Sequence, residues 1–329
     1  MKNNKLKTLK NDIDIYFLSK GIGKKEINWL LLPFIIVTFI FLFVIFVVWI
    51  WETSIDTGTH IDYEAFGTFG DFIGGVIGTF FAFLGVFLVY ITYKDQVTSH
   101  RKEQIETRFF ELLKLHEKNV EELYHIDDDI FNLYLKNIRN FVNIIKRFSN
   151  DRSKNFQNET IVELGYLYFF YGASEYTSER IGSIQVKASD INEFNEYIKR
   201  LGIVYYGSYA NFGKYFRQLF QIVSYIDGKS ELNYREKEQY IKLLRVRLNI
   251  EEQYLLFLNS LVSNGLDWEK NSVQGNNQLI TKYNLLKNIP KEYKQIEGID
   301  FKVIYPNIHY EFLGNNKSEK RMILENSYY

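Results

Sequence analysis

Two uncharged apolar runs lie within the first hundred residues, and no other feature constrains the chain as strongly. The first is Trp29–Trp51 and the second Phe72–Tyr93, and neither contains a charged side chain. At a rise of about 1.5 Å per residue, helices of these lengths reach roughly 33 Å, enough to cross a hydrocarbon core. A water-exposed core helix of that length would turn a polar face to solvent, and neither run has one. The expected fold class is therefore all-α: transmembrane helix 1 at 29–51, transmembrane helix 2 at 72–93, then a helical domain at 94–329. Charge sets the expected orientation. Residues 1–28 carry seven Lys against Asp12, Asp14 and Glu26, a basic segment. The connecting stretch 52–71 carries Glu52, Asp56, Asp62, Glu64 and Asp71 without any Lys or Arg. Lys94, Arg101, Lys102 and Arg108 follow the second run. Basic flanks stay inside, so both termini are expected in the cytoplasm of an inner (plasma) membrane protein, with the acidic loop outside. Trp29, Trp49, Trp51, Tyr90 and Tyr93 would form interfacial belts. The first run is too long and too late to be a cleaved leader.

Composition narrows the function classes. The 329 residues carry 40 basic and 40 acidic side chains, so there is no net basic field to draw in nucleic acid, and no direct nucleic-acid binding is expected. Cysteine is absent, which removes disulfides and thiolate chemistry. Phe and Tyr are abundant, at 28 and 25; with the many Asn, Lys and Ile, this reads as the bias of an AT-rich genome rather than as a stacking surface.

Prolines stand only at 33, 290 and 306, which permits long helices between them. Past residue 93 the helical pattern continues. Ile105, Phe109, Leu112, His116, Asn119 and Leu123 fall at alternating four- and three-residue steps and mark a buried seam. Asp127–Asp129 closes this element and offers caps to the next, on which Phe131, Leu135, Ile138, Val142, Ile145 and Phe148 form an apolar stripe. A loop is expected at 149–158, an aromatic helix at 160–182, and further helices at 188–201, 205–227, 234–263 and 278–288. Weak alternation between Phe301 and Phe312 predicts one or two short strands.

Several groups of residues could carry chemistry. Gly70, Gly74 and Gly78, with Gly75 beside them, put small residues on one face of the second run, where another helix backbone could approach. Asp71 at its start reads either as an N-cap or as one of a ring of carboxylates at a pore mouth. His116 and Asn119 sit on the seam. Glu121, His125 and Asp127–Asp129 superficially suggest a metal cluster, yet no H-E-x-x-H or second histidine at ligand spacing accompanies them. The five histidines and the absence of G-x-S-x-G give no nucleophilic triad. No metal, cofactor or catalytic residue is therefore expected. Arg217 and Arg245 stand inside apolar helical patterns, and a buried arginine needs a carboxylate or carbonyl partner. Glu252 is expected to share a helix face with Arg245, and Arg217 to approach from the neighbouring helix. The two readings are a buried ion-pair network that fixes helix register, and an arginine pocket for an anionic signal.

Three segments together resemble a known family. The first runs from Gly67–Gly78 to Tyr90-Ile91-Thr92-Tyr93-Lys94-Asp95-Gln96. The second is Arg108–Val120, with Phe110, His116 and Asn119. The third runs through Tyr215-Phe216-Arg217, Leu243-Leu244-Arg245 and Leu255-Leu256-Phe257-Leu258-Asn259. In this order they resemble the phage abortive infection proteins similar to AbiC of lactococci. Arg247 stands where that family more often shows Gln, and Asn249 where it shows Ser. The resemblance implies a bacterial antiviral role and no catalytic residue. The expectation is an abortive-infection effector whose cytoplasmic helices sense an infection cue and whose membrane hairpin impairs the membrane or arrests growth. Its expected partners are the lipid bilayer, further copies of itself and a phage-derived or defence-system trigger. The competing readings are a membrane-anchored nuclease using His116, His125 and the acidic cluster, and a membrane scaffold or regulator.

Overall fold

A computed structural model describes residues 39, 43–50, 63–173, 186–269 and 277–327. The chain divides into two compact units, Met1–Tyr90 and Ile91–Tyr329. Every described element is helical, so the strands expected at 301–312 do not form. That stretch instead makes a four-residue helix, Phe301–Ile304, and a 3₁₀ turn, Glu311–Leu313. Three tyrosine hydroxyls hold the tail in place of a ladder. Tyr254 accepts from the Ile296 amide, Tyr305 donates to Ser260 Oγ, and Tyr310 donates to the carbonyls of Phe301 and Tyr305.

The membrane-spanning part of the expected fold is corrected. Among the described residues no helix is long and apolar enough to cross a membrane. The second apolar run lies within α1 (Tyr63–Tyr124), a helix of 62 residues. Between Gly67 and Thr79, five glycines, two threonines and Asp71 dilute its apolar side chains. The helix then passes without a break into Lys94, Asp95 and the charged residues beyond. Of the first run only residues 39 and 43–50 are described, as helix. The basic segment 1–28, Trp29, Trp51, Glu52 and Asp56 lie outside the described residues.

In the second unit the seam of α1 is realised: Ile105, Phe109, Leu112, Leu113, His116, Asn119 and Leu123 are all buried. Next come α2 (Ile130–Asp151) and α3 (Asn158–Tyr171). α3 is buried on every side from Ile161 to Tyr171 except at Glu163, and is the central aromatic helix. Gly165 makes its packing on α2 possible, because a Cβ there would fall on the Val142 side chain. α4 (Ala188–Arg200) lays Phe194 edge-on against Phe148 of α2 at 5.1 Å. The helix expected at 160–182 ends at Tyr171, where Gly172 turns the chain at φ +79°, and 174–182 lies outside the described residues.

The single helix expected at 234–263 is two helices. α6 (Tyr234–Arg245) and α7 (Ile250–Ser260) follow α5 (Tyr209–Asp227), and each begins with a reciprocal cap. Asn233 pairs with Glu236 and Asn249 with Glu252, each side chain accepting the other residue's amide. From Glu252 to Ser260 α7 is entirely buried.

A 3₁₀ turn, Ser263–Trp268, and the short α8 (Leu279–Tyr283) complete the packing. The C-terminal carbonyls of α8 lack helical partners, as at any helix end, and three long side chains supply donors. Arg245 donates to the carbonyls of Tyr283 and Asn284, Tyr234 to that of Lys282, and Arg321 to those of Thr281 and Lys282. Arg321 lies in the last helix, Glu319–Ser327, and is fully buried.

Candidate functional site

Most of the polar residues singled out from the sequence fall into two places in the second unit. One is a buried cluster where α1, α5 and α7 meet. Tyr215 has no exposed surface, and its hydroxyl donates to Glu252 Oε1 at 2.9 Å. The other carboxylate oxygen, Oε2, accepts the Asn249 amide at 2.7 Å. Burial pushes the Glu252 carboxyl up to about 7, although both hydrogen bonds pull the other way. Burial, with the adjacent Glu252 carboxylate, also holds the Tyr215 hydroxyl well above its ordinary value. The His116 ring lies 4.9 Å from that of Tyr215. Among the described residues neither of its nitrogens has a hydrogen-bond partner, and burial lowers its pKa to about 4. Asn119, one turn on, is buried with its Nδ2 unpartnered. A buried polar group left without a partner costs about 1–3 kcal/mol.

The expected ion-pair network does not form. Arg245 and Glu252 belong to different helices, and Arg245 meets carbonyls rather than the carboxylate. Arg247 leaves the core altogether and pairs with Glu117 on α1.

Arg217 is exposed, on the other side of α5, and lines the second place. This is a cleft of about 290 Å³ between α5, the end of α3 and the 3₁₀ turn that follows α7. Its guanidinium lies over the Tyr209 ring, 5.5 Å from the centroid, and no described carboxylate pairs with it. Gly213, one turn before Arg217, leaves room beside this posture. A Cβ there would sit 3.2 Å from Arg217 Nη1 and 3.3 Å from the Tyr209 ring. Opposite, Asn259 donates to the Tyr166 hydroxyl at 2.8 Å and Asn264 to that of Tyr171 at 2.6 Å, so each amide keeps its oxygen as an acceptor. Gly265 lets the turn fold back on Asn259, where a Cβ would collide with the Asn259 carbonyl. Trp268, edge-on to Phe220 at 5.1 Å, forms the floor.

The remaining candidates are not part of either place. Phe110 is exposed beside Phe109. Gly70, Asp71, Gly74, Gly75 and Gly78 are exposed on α1, and nothing described comes within 4 Å of a Cβ built on any of the four glycines. Asp71 lies two turns inside α1 rather than at its start. His125 is exposed while His116 is buried, and among the described residues no three His, Asp or Glu gather as a metal site. Sequence reasoning missed Tyr209, Gly213, Asn264 and Trp268. The i, i+4 spacing of Tyr209, Gly213 and Arg217 on one helix face was the available signal.

No characterised protein and no solved structure matches the chain. One family model does, over residues 207–294, a segment that contains α5 to α8 and so ten of the twelve residues lining the cleft. It also contains Tyr215, Arg245, Glu252 and Asn259, but not the Gly67–Gln96 and Arg108–Val120 segments. The family that residues 207–294 match is described as "Putative phage abortive infection protein".

Proposed function

We propose that this protein is an abortive-infection effector, which stops an infected bacterium from supporting phage growth. The second unit receives the infection cue, and the cleft around Arg217 is where it does so. The observation that carries the reading is the family match over 207–294, the segment that builds nearly all of that cleft. The polar cluster supports it. The His116 ring on α1 lies against Tyr215 on α5, and among the described residues neither its nitrogens nor Nδ2 of the buried Asn119 has a hydrogen-bond partner, an arrangement that a small helix displacement would relieve. A cue that moves α5 would thereby be felt at α1.

The test is expression of the chain in a susceptible host lacking it, followed by phage challenge at low and high multiplicity. Abortive infection predicts reduced plaque numbers, a reduced burst, and death of the infected cells themselves. Unchanged plaque numbers and burst across a broad phage panel would refute the reading. Survival and division of the infected cells would replace it with a defence of another kind.

A further inference from the structure

We propose that the Arg217 cleft is a binding site for a small planar aromatic anion, a nucleoside monophosphate being the compound class it fits best. Arg217 presents a guanidinium that pairs with no described carboxylate, resting over the Tyr209 ring with Gly213 leaving room beside it. Such a group takes an oxyanion through its N–H edge while its flat face stays on the aromatic ring. The opposite wall offers acceptors. The Asn264 amide has committed an N–H to Tyr171, leaving Oδ1 for an incoming N–H or O–H, and the Asp267 carboxylate also lines the cleft. Between these two ends the walls are aromatic, and flat rings favour a flat partner.

Size and charge then select within that class. A cleft of about 290 Å³ lies at the lower end of the roughly 300–1,000 Å³ that small-molecule sites span, so one base and sugar fill it. A single arginine opposite an aspartate matches one phosphate and not a polyphosphate. An anionic end, a flat middle and a donor-bearing far end are what a nucleoside monophosphate offers. The biological use of such binding, as the cue, rests on the phage-defence reading; the binding itself rests on the cleft.

The test is isothermal titration of the purified full chain with adenosine, guanosine, cytidine and uridine 5′-monophosphates, with the matching nucleosides and with inorganic phosphate. The inference expects at least one monophosphate to bind more tightly than its nucleoside and than phosphate alone. Arg217→Gln should weaken that binding by about tenfold or more, the factor for losing a charge-assisted hydrogen bond. Asn264→Asp, which adds a carboxylate at the mouth, should weaken it as well. Arg217 and Asn264 are exposed, so both variants should retain the wild-type circular dichroism spectrum. No binding of any monophosphate at millimolar concentration, equal binding of phosphate alone, or undiminished binding by Arg217→Gln would each overturn the inference. Phage protection by a chain that binds no monophosphate would sink the inference and leave the defence role standing. Binding without protection would do the reverse.

Discussion

Tyr215 and Glu252 form the one fully buried side-chain hydrogen bond joining α5 to a carboxylate on α7, at 2.9 Å. The same carboxylate closes the N-terminal cap of α7 through Asn249. Two helices are thereby fastened at one group. Tyr215→Phe keeps the ring packing and deletes the donor, leaving Oε1 buried without it. The expected loss is about 1–3 kcal/mol. In thermal unfolding this should lower the midpoint by several degrees.

His116 and Glu252 give opposite pH dependences. His116 is held at about 4, below its ordinary 6.5, so its contribution to stability is present above pH 6.5 and is lost as pH falls toward 4. Glu252 is raised to about 7 from 4.5, so its contribution is present below pH 4.5 and is lost as pH rises toward 7. Across pH 4.5–6.5 the two slopes oppose each other. His116→Leu should therefore expose a stability that falls as pH rises through this window. Glu252→Gln should expose one that rises. Denaturant midpoints measured at half-unit intervals check both signs.

His116→Leu should also be tolerated at neutral pH. Both imidazole nitrogens are buried without partners among the described residues, so an apolar replacement removes a desolvation cost instead of a bond. The expected result is an unchanged or raised midpoint at pH 7. A drop of many degrees would mean that the ring is hydrogen-bonded in solution, for example to an internal water.

The cap at Asn249 separates α6 from α7. Asn249→Ala should cost about 1 kcal/mol, and Asn249→Ser far less, because a serine hydroxyl accepts the same amide. Chemical denaturation of the two variants side by side measures the difference.

The arginines differ in kind. Arg321 is fully buried and donates to two carbonyls and to Glu325, whereas Arg217 is exposed and bonded to no described carboxylate. Arg321→Met should destabilise the fold by several kcal/mol, since hydrogen bonds to charged groups are worth about 1.5–3 kcal/mol each. Arg217→Gln should leave the stability within about 0.5 kcal/mol of wild type. Thermal unfolding of both variants tests the contrast.

How much of this was legible beforehand follows from the physics of each element. The buried face of α1 from Ile105 to Leu123 and the stripe of α2 could be read, because amphipathic spacing is local and burial obeys it. The break between α6 and α7 could have been read too. Asn249-Ile250-Glu251-Glu252 carries the N-x-x-E signature of a reciprocal cap, but the apolar run after it suggested continuity. Strands at 301–312 were inferred from alternation alone, and tyrosine hydroxyls from α7 and the tail itself hold that chain instead. Of the thirteen candidate residues, Tyr215, His116 and Glu252 do converge, and Arg217 and Asn259 share the cleft. Whether an arginine in an apolar pattern turns inward depends on which partner the tertiary fold provides. Arg245 found the carbonyls of α8, while Arg217 found the face of Tyr209. The membrane-spanning reading counted missing charges, whereas the helix that contains the second run is rich in glycine and continues into charged residues.

The account stands or falls on phage plating by cells carrying either the wild-type chain or Arg217→Gln at matched protein levels. Wild type should depress plating of a susceptible phage strongly, and Arg217→Gln should restore it to the level of cells lacking the protein. Equal protection by the two would contradict a role for the cleft in defence.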